Sequence, residues 1–308
     1  MKRALTYTLI AGSRSCTYDC PLCISKMTPD YGIGNAEPEV NWENFDIAAN
    51  IASNIYHAEN VLITGKGEPT LFPAQVTEFL HRLEKWPFGK RELQTNGSVI
   101  AKGGYMGDFL RVWHDHGLVN VAVSVYHYYN NRNAEIFMPK SGRYFDLPEL
   151  IDRIHRRDLE VRLSCVMLDG YIDRVEEVEK MIGFCKKHDV EQLTLRSADR
   201  PDYSSDFTAA DFVDKHRLNE KDQRYVDIRN FVREKANDKK PTETLPHGAE
   251  VYGIDDLQVC ISTGLSDYTG EEEIRQLIFF PNGMLTTSWT DPKGAAVLHG
   301  WRRDENEL

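Results

Sequence analysis

Residues 16–23 read Cys16-Thr17-Tyr18-Asp19-Cys20-Pro21-Leu22-Cys23, three cysteines within eight residues, directly after the apolar run Leu5 to Ile10. Three thiolates so close in sequence can face one metal centre. Iron–sulfur clusters are normally held by four cysteines, so three on a four-iron cluster leave one iron open to another molecule. Zinc follows the same logic: a closed site is structural, and an open one does chemistry. Two plainer readings compete. A zinc knuckle needs a fourth ligand nearby, yet no further Cys comes before Cys165 and no His before His57. A thiol redox site can use Cys20 and Cys23, since a C-x-x-C pair lowers thiol pKa, but it leaves Cys16 unexplained.

Outward from that loop, Ala4–Ile10 reads as the first strand. The loop itself runs to about Glu37 and is rich in Pro, Gly, Asp and Asn. Asn41 caps a helix whose apolar positions, Phe45, Ala48, Ile51, Ala52 and Ile55, step by three and four. Val61–Thr64 is a buried strand that ends in Gly65-Lys66-Gly67-Glu68-Pro69, and a helix from Pro73 to Leu83 follows. In a strand–turn–helix unit the glycines let backbone approach a ligand, with Glu68 at the strand's C-terminal edge. Arg91–Thr95 is a third strand, closed by Asn96-Gly97. Val119–Val125 is a fourth, carrying Ser124. The fifth is Leu159–Met167 and the sixth Val190–Arg196, with helices at 105–116, 146–158 and 173–188 between them. His114 and His116 lie two apart on a helix and point to different faces, so they form no metal pair. Cys165 and Cys185 sit on apolar patterns and read as core residues.

Six strands alternating with helices argue a parallel α/β sheet, which right-handed crossovers curl toward a barrel. After residue 200 the composition shifts. Ala209–Lys235 reads as one charged helix. Val251–Ile261 and Arg275–Thr287 read as strands, the second turning at Pro281-Asn282-Gly283. Loops at strand C-termini carry function in barrels. Tyr126 and Tyr128 share the inward side of Ser124 if the fourth strand continues, and are candidate catalytic or substrate-stacking residues.

The chain has 308 residues, 41% of them hydrophobic and 10% aromatic, enough for a sizeable core. Its 37 basic and 48 acidic residues give a formal charge of −11. That weighs against long-range attraction to nucleic acid. Six cysteines, three of them clustered, make no disulfide scaffold and point to a reducing cytoplasm. The start, Met1-Lys2-Arg3 and Ala4–Gly12, is short and interrupted by Thr6, Tyr7 and Thr8, with no cleavage site after it, so it is not read as a secretory signal. No stretch approaches the length of a membrane-spanning helix.

The C-x3-C-x2-C spacing resembles the signature of the radical S-adenosylmethionine superfamily, and the resemblance extends over roughly residues 4–200. The Gly65–Glu68 turn is similar to the family's Gly-Gly-Glu element, with Lys66 intruding. Thr95-Asn96-Gly97 and Ser124 also fall where the family carries such residues. Leu22 departs from it, standing where an aromatic is usual.

The resemblance implies a partial (β/α)6 TIM-like barrel over residues 1–200. A C-terminal α+β extension over 201–308 follows, with no accessory cluster, since only Cys260 remains there. It implies one oxygen-sensitive 4Fe-4S cluster on Cys16, Cys20 and Cys23, and S-adenosylmethionine as cofactor. Glu68 and the backbone of Gly65 and Gly67 would meet the cofactor's amino group. Ser124 and Arg196 would meet its carboxylate, Thr95 and Asn96 its ribose, and Val166 its adenine. An electron donor such as flavodoxin or ferredoxin is implied too. The expected substrate is a small molecule or nucleotide. A ribosomal peptide or tRNA is the alternative, and a zinc module or thiol oxidoreductase the non-radical one.

Overall fold

A computed structural model describes residues 2–262, 272–291 and 296–299; the rest of the extension expected at 201–308 lies outside these. Six strands form in the expected order: β1 (Arg3–Ile10), β2 (Asn60–Thr64), β3 (Arg91–Thr95), β4 (Leu118–Val125), β5 (Glu160–Met167) and β6 (Gln192–Ser197). Neighbours pair in parallel from β1 through β6.

The C-terminal segment adds β7 (Glu243–Thr244), β8 (Glu250–Ile254), β9 (Leu257–Ser262), β10 (Glu273–Phe279), β11 (Leu285–Thr286) and β12 (Ala296–Leu298). These do not stand apart from the first six. β9 pairs in parallel with β6, and β10 in parallel with β1. One twelve-stranded sheet results, in the order β12-β11-β10-β1-β2-β3-β4-β5-β6-β9-β8-β7. Its two ends do not meet, so this mixed α/β sheet is not closed.

Strand alternation sorts the two faces. Tyr7, Leu9, Ile63, Leu93, Val123, Leu163 and Leu195 point to one side. There they join a continuous core with Phe79, Trp113, Ile151 and Met181 from the helices. The opposite side carries Thr8, Gln94, Ser124, Ser164, Thr194, Arg196 and Gln276. A parallel sheet covered on both faces has apolar strands throughout; here the second face is polar and lines an interior. At the strands' N-terminal ends that interior is filled. Arg162 on β5 donates to Glu92 on β3 at 2.8 Å and to Thr194 on β6 at 3.2 Å, and Asn120 on β4 donates to Glu92. Both charged side chains are 16% exposed, so removing either partner costs about 3–5 kcal/mol. The C-terminal ends stay open, and the site lies there.

Several local features differ from the sequence reading. Asn41 caps its helix as expected, accepting from Asn44 N–H at 3.0 Å. Regular α geometry ends at Asn50, however, and wider turns over Ile51–Ile55 leave Ile55 40% exposed. The single helix expected over 209–235 is two, Phe207–His216 and Gln223–Lys235. Leu218, fully buried, pulls the chain inward between them, and Asp222 caps the second by accepting from Arg224 N–H. The strand expected over 251–261 is a hairpin turning at Asp255, whose φ is 53°. β10 and β11 turn as expected at Pro281-Asn282-Gly283.

Candidate functional site

The loop bearing Cys16, Cys20 and Cys23 leaves the C-terminal end of β1 and is held from two sides. From one side comes the segment that follows the helix Asn130–Phe137, turning at Met138 with φ 48°. Asp19 N–H donates to Phe137 O at 3.1 Å, Lys140 N–H to Thr17 O at 3.1 Å, and Lys140 Nζ to Cys16 O at 3.0 Å. These supports come from 120 or so residues away, and no local pattern signals them.

From the other side comes the glycine turn after β2. A Cβ at Gly67 would stand 2.1 Å from Ser15 O, and one at Gly65 2.9 Å from Ala11 O. The glycines therefore allow a close approach to the chain's own cysteine loop, a contact that the pattern alone does not signal. Glu68 N–H seals this contact by donating to Ser15 O at 2.9 Å.

The Glu68 side chain is 2% exposed and accepts from four donors. Thr70 N–H (3.1 Å), Thr95 Oγ1 (2.6 Å) and Asn96 N–H (2.8 Å) are three, and the Thr70 hydroxyl is the fourth. Burial raises its pKa against the pull of these donors. Glu68 thus buckles the β2 turn to the end of β3, and Thr95 spends its hydroxyl in that buckle. Asn96 continues the clasp. Its Nδ2 lies 3.5 Å from Cys16 Sγ and 3.2 Å from Thr17 Oγ1.

All three cysteines, with Gly65, Gly67, Glu68, Thr95, Asn96, Ser124, Tyr126, Val166 and Arg196, line one cavity of about 320 Å³. Tyr126 is 7% exposed, packs on Phe137 with ring centroids 4.8 Å apart, and lines the cavity with Cys20. The Arg196 side chain forms no hydrogen bond or ion pair among the described residues, and desolvation beside Arg162 and Arg275 pushes its pKa down. The buried Ser197 Oγ beside it also lacks a partner.

Tyr128 is a correction. β4 ends at Val125, so strand alternation does not carry on past it. Tyr128 turns away and donates to Glu177 Oε2 at 2.7 Å, beside His127, which is 3.6 Å from the same carboxylate. Sequence reasoning also passed over Lys66, which lines the cavity and is 4% exposed. A basic residue between two glycines after a strand was the available signal.

The donor set discriminates between metals. Three sulfurs on one zinc at about 2.3 Å each lie within about 4 Å of one another. Cys16, Cys20 and Cys23 do not gather their sulfurs within 4.8 Å; among the described residues the one trio that close is His81, Glu84 and His116 on the surface. A cuboidal cluster holds each thiolate on a separate iron and needs that wider spread. Among the described residues no histidine and no fourth cysteine lines the cavity, so a four-iron cluster held there would keep one iron open. The residues present fit such a cluster.

No protein-family model matches the sequence, and no curated protein is significantly similar to it. Among solved structures, Streptococcus suis SuiB bound to S-adenosylmethionine is similar in fold, with a TM-score of 0.60 at 15% identity over 93% of this chain and 60% of that one. SuiB bound to the precursor peptide SuiA gives 0.55 at 14% identity, over 94% of this chain and 60% of that one. This chain therefore spans about 60% of SuiB's length.

Proposed function

We propose that this chain is a radical S-adenosylmethionine enzyme built on a partial (β/α)6 barrel, acting in the cytoplasm on a small-molecule or nucleotide substrate. One observation carries the reading. Cys16, Cys20 and Cys23 open on the same cavity as Glu68, Asn96 and Arg196, a half-buried cation without a counter-charge among the described residues. When bound, a 4Fe-4S cluster with S-adenosylmethionine supplies a 5'-deoxyadenosyl radical on receiving an electron from a donor such as flavodoxin or ferredoxin.

The chain's own residues bind, orient and exclude water. Cys16, Cys20 and Cys23 hold the cluster, and Asn96 steadies Cys16. Arg196 and Ser124 take the cofactor's carboxylate, as a guanidinium favours. The backbone around Gly65–Gly67 and the Glu68 edge face its amino group, and Val166 flanks its adenine. Tyr18, Leu22, Tyr126 and Phe137 form an apolar cluster beside the cysteines that keeps water off a reactive intermediate.

A peptide is the second reading for the substrate, favoured by a further chamber of about 860 Å³ that adjoins the cavity and by the peptide that SuiB binds.

Anaerobic reconstitution tests the proposal. About four irons with matching sulfide are expected per chain, lost when Cys16, Cys20 and Cys23 are changed to Ala and kept when Cys165, Cys185 and Cys260 are. Tightly bound zinc in place of iron sinks it.

A further inference from the structure

Lys66 is a buried cation to which the cofactor reading gives no task. Its Nζ donates to Thr28 Oγ1 at 2.6 Å and lies 5.6 and 5.7 Å from the ring centroids of Tyr31 and Trp289. Among the described residues no carboxylate comes within 4.0 Å of it. An ammonium has three donors. Thr28 takes one, and aromatic rings offer faces rather than lone pairs. Among the described residues two donors and the charge are left without a contacting anion, with Asp30 and Cys23 acting only from a distance, which is costly in a buried place. A ligand that brings the counter-charge removes that cost.

The position is specific. Lys66 lines the 320 Å³ cavity, while Thr28 and Trp289, which touch it, also line the 860 Å³ chamber. It stands where the two join. Arg196, which the cofactor reading gives to the carboxylate, enters the cavity from β6, four strands from the β2 turn that carries Lys66. The two cations also sit in different charged surroundings. Arg14, Cys23 and Asp30 act on Lys66, whereas Arg162, Arg275 and Tyr126 act on Arg196.

Resting on the radical-enzyme reading for the site itself, we propose that Lys66 anchors the substrate through an anionic oxygen group, a carboxylate or a phosphate monoester, with the rest of the molecule reaching into the outer chamber. That chamber's lining carries Asp199, Asp202 and Asp291 against the single cation Arg200, a net acidic wall that disfavours a polyanion such as a nucleic acid. Burial lowers the pKa of Lys66 to about 8, and a bound anion raises it again.

The test is calorimetric binding of benzoate, phenyl phosphate and neutral benzamide to the full chain, in metal-free and in iron- and sulfide-reconstituted form. One of the two anions is expected to bind in both forms about tenfold or more tightly than benzamide, and which one does separates carboxylate from phosphate. Lys66→Met should weaken that binding by about tenfold or more, and Lys66→Arg should retain most of it. In wild-type protein the anion should protect Lys66 from acetic anhydride, read by peptide mass spectrometry, which decides the matter should Lys66→Met not fold. Wild-type protein that binds neither anion, or anions that bind Lys66→Met as tightly and leave Lys66 unprotected, overturn the proposal. Anion binding through Lys66 in a protein that takes up no iron keeps this proposal and sinks the cluster reading.

Discussion

Asn96 Nδ2 stands 3.5 Å from Cys16 Sγ, so the turn ending β3 holds the first cysteine of the loop. The backbone of Asn96 is tied to Glu68, and one residue joins two motifs that lie far apart in sequence. A hydrogen bond to a cluster sulfur stabilises the more negative, reduced state. Asn96→Leu is expected to load iron and to shift the cluster midpoint potential downward by on the order of 40 mV, the one-electron equivalent of about 1 kcal/mol. A redox titration followed by electron paramagnetic resonance reads this. An unchanged potential removes Asn96 from the cluster's surroundings.

Arg196 carries an opposite pair of effects. It is half-buried with no counter-charge among the described residues, which costs stability until an anion arrives. Arg196→Met should therefore stabilise the cofactor-free protein by about 1–3 kcal/mol in denaturant melts and weaken S-adenosylmethionine binding by about tenfold or more. Loss of stability together with unchanged binding would mean that the guanidinium is paired within the protein and is not a ligand-binding group.

The β1–β6 core and the cysteine loop were legible because both are local patterns. Short β-branched and apolar runs at 61–64, 119–125 and 190–196, each followed by a helical pattern or a turn, read as buried parallel strands, and three cysteines within eight residues announce themselves. The pairing of β9 and β10 with opposite ends of the six-stranded unit was not legible, since parallel partners at 192–196 and 258–262 carry no turn signal between them. The buckle function of Glu68 was hidden for a related reason. Its four donors come from Thr70, Thr95 and Asn96, and only the folded register of β2 beside β3 brings the last two to it. The aromatic run 126–129 misled because alternation was carried past Val125, where the strand stops.

His155 and Glu191 supply a pH dependence away from the site. Nε2 lies 3.4 Å from Glu191 Oε2, which also accepts from Val161 N–H at 2.7 Å. The bond to Glu191 raises the pKa of His155 above its ordinary 6.5. The folded state then holds this proton more tightly than the unfolded one. The stabilisation is full below pH 6.5 and disappears as the pH rises through the raised folded value. Because Glu191 is 42% exposed, the amount is below about 1 kcal/mol. His155→Gln should flatten the stability profile between about pH 6 and 8, as measured by urea melts across that range. A wild-type profile equally flat there contradicts the pairing.

Tyr126 and Tyr128 are two residues apart, and the structure gives them different surroundings, so they separate a role in the cavity from a role in the fold. Tyr126 lines the cavity beside Cys20 and packs on Phe137, whereas Tyr128 spends its hydroxyl on Glu177 outside it. Tyr128→Phe removes one hydrogen bond, about 1 kcal/mol, and should lower Tm by roughly 2–4 °C with no change in cofactor cleavage or in substrate-dependent turnover. Tyr126→Leu keeps an apolar wall but opens the space that the ring fills. It should reduce substrate-dependent turnover more than the slow cofactor cleavage seen without substrate, because the cysteines and Arg196 are left in place. Measuring both rates in each variant decides the matter. Equal loss of the two rates in Tyr126→Leu assigns that ring to holding the cluster loop, and a turnover defect in Tyr128→Phe places the substrate against Glu177 rather than in the cavity.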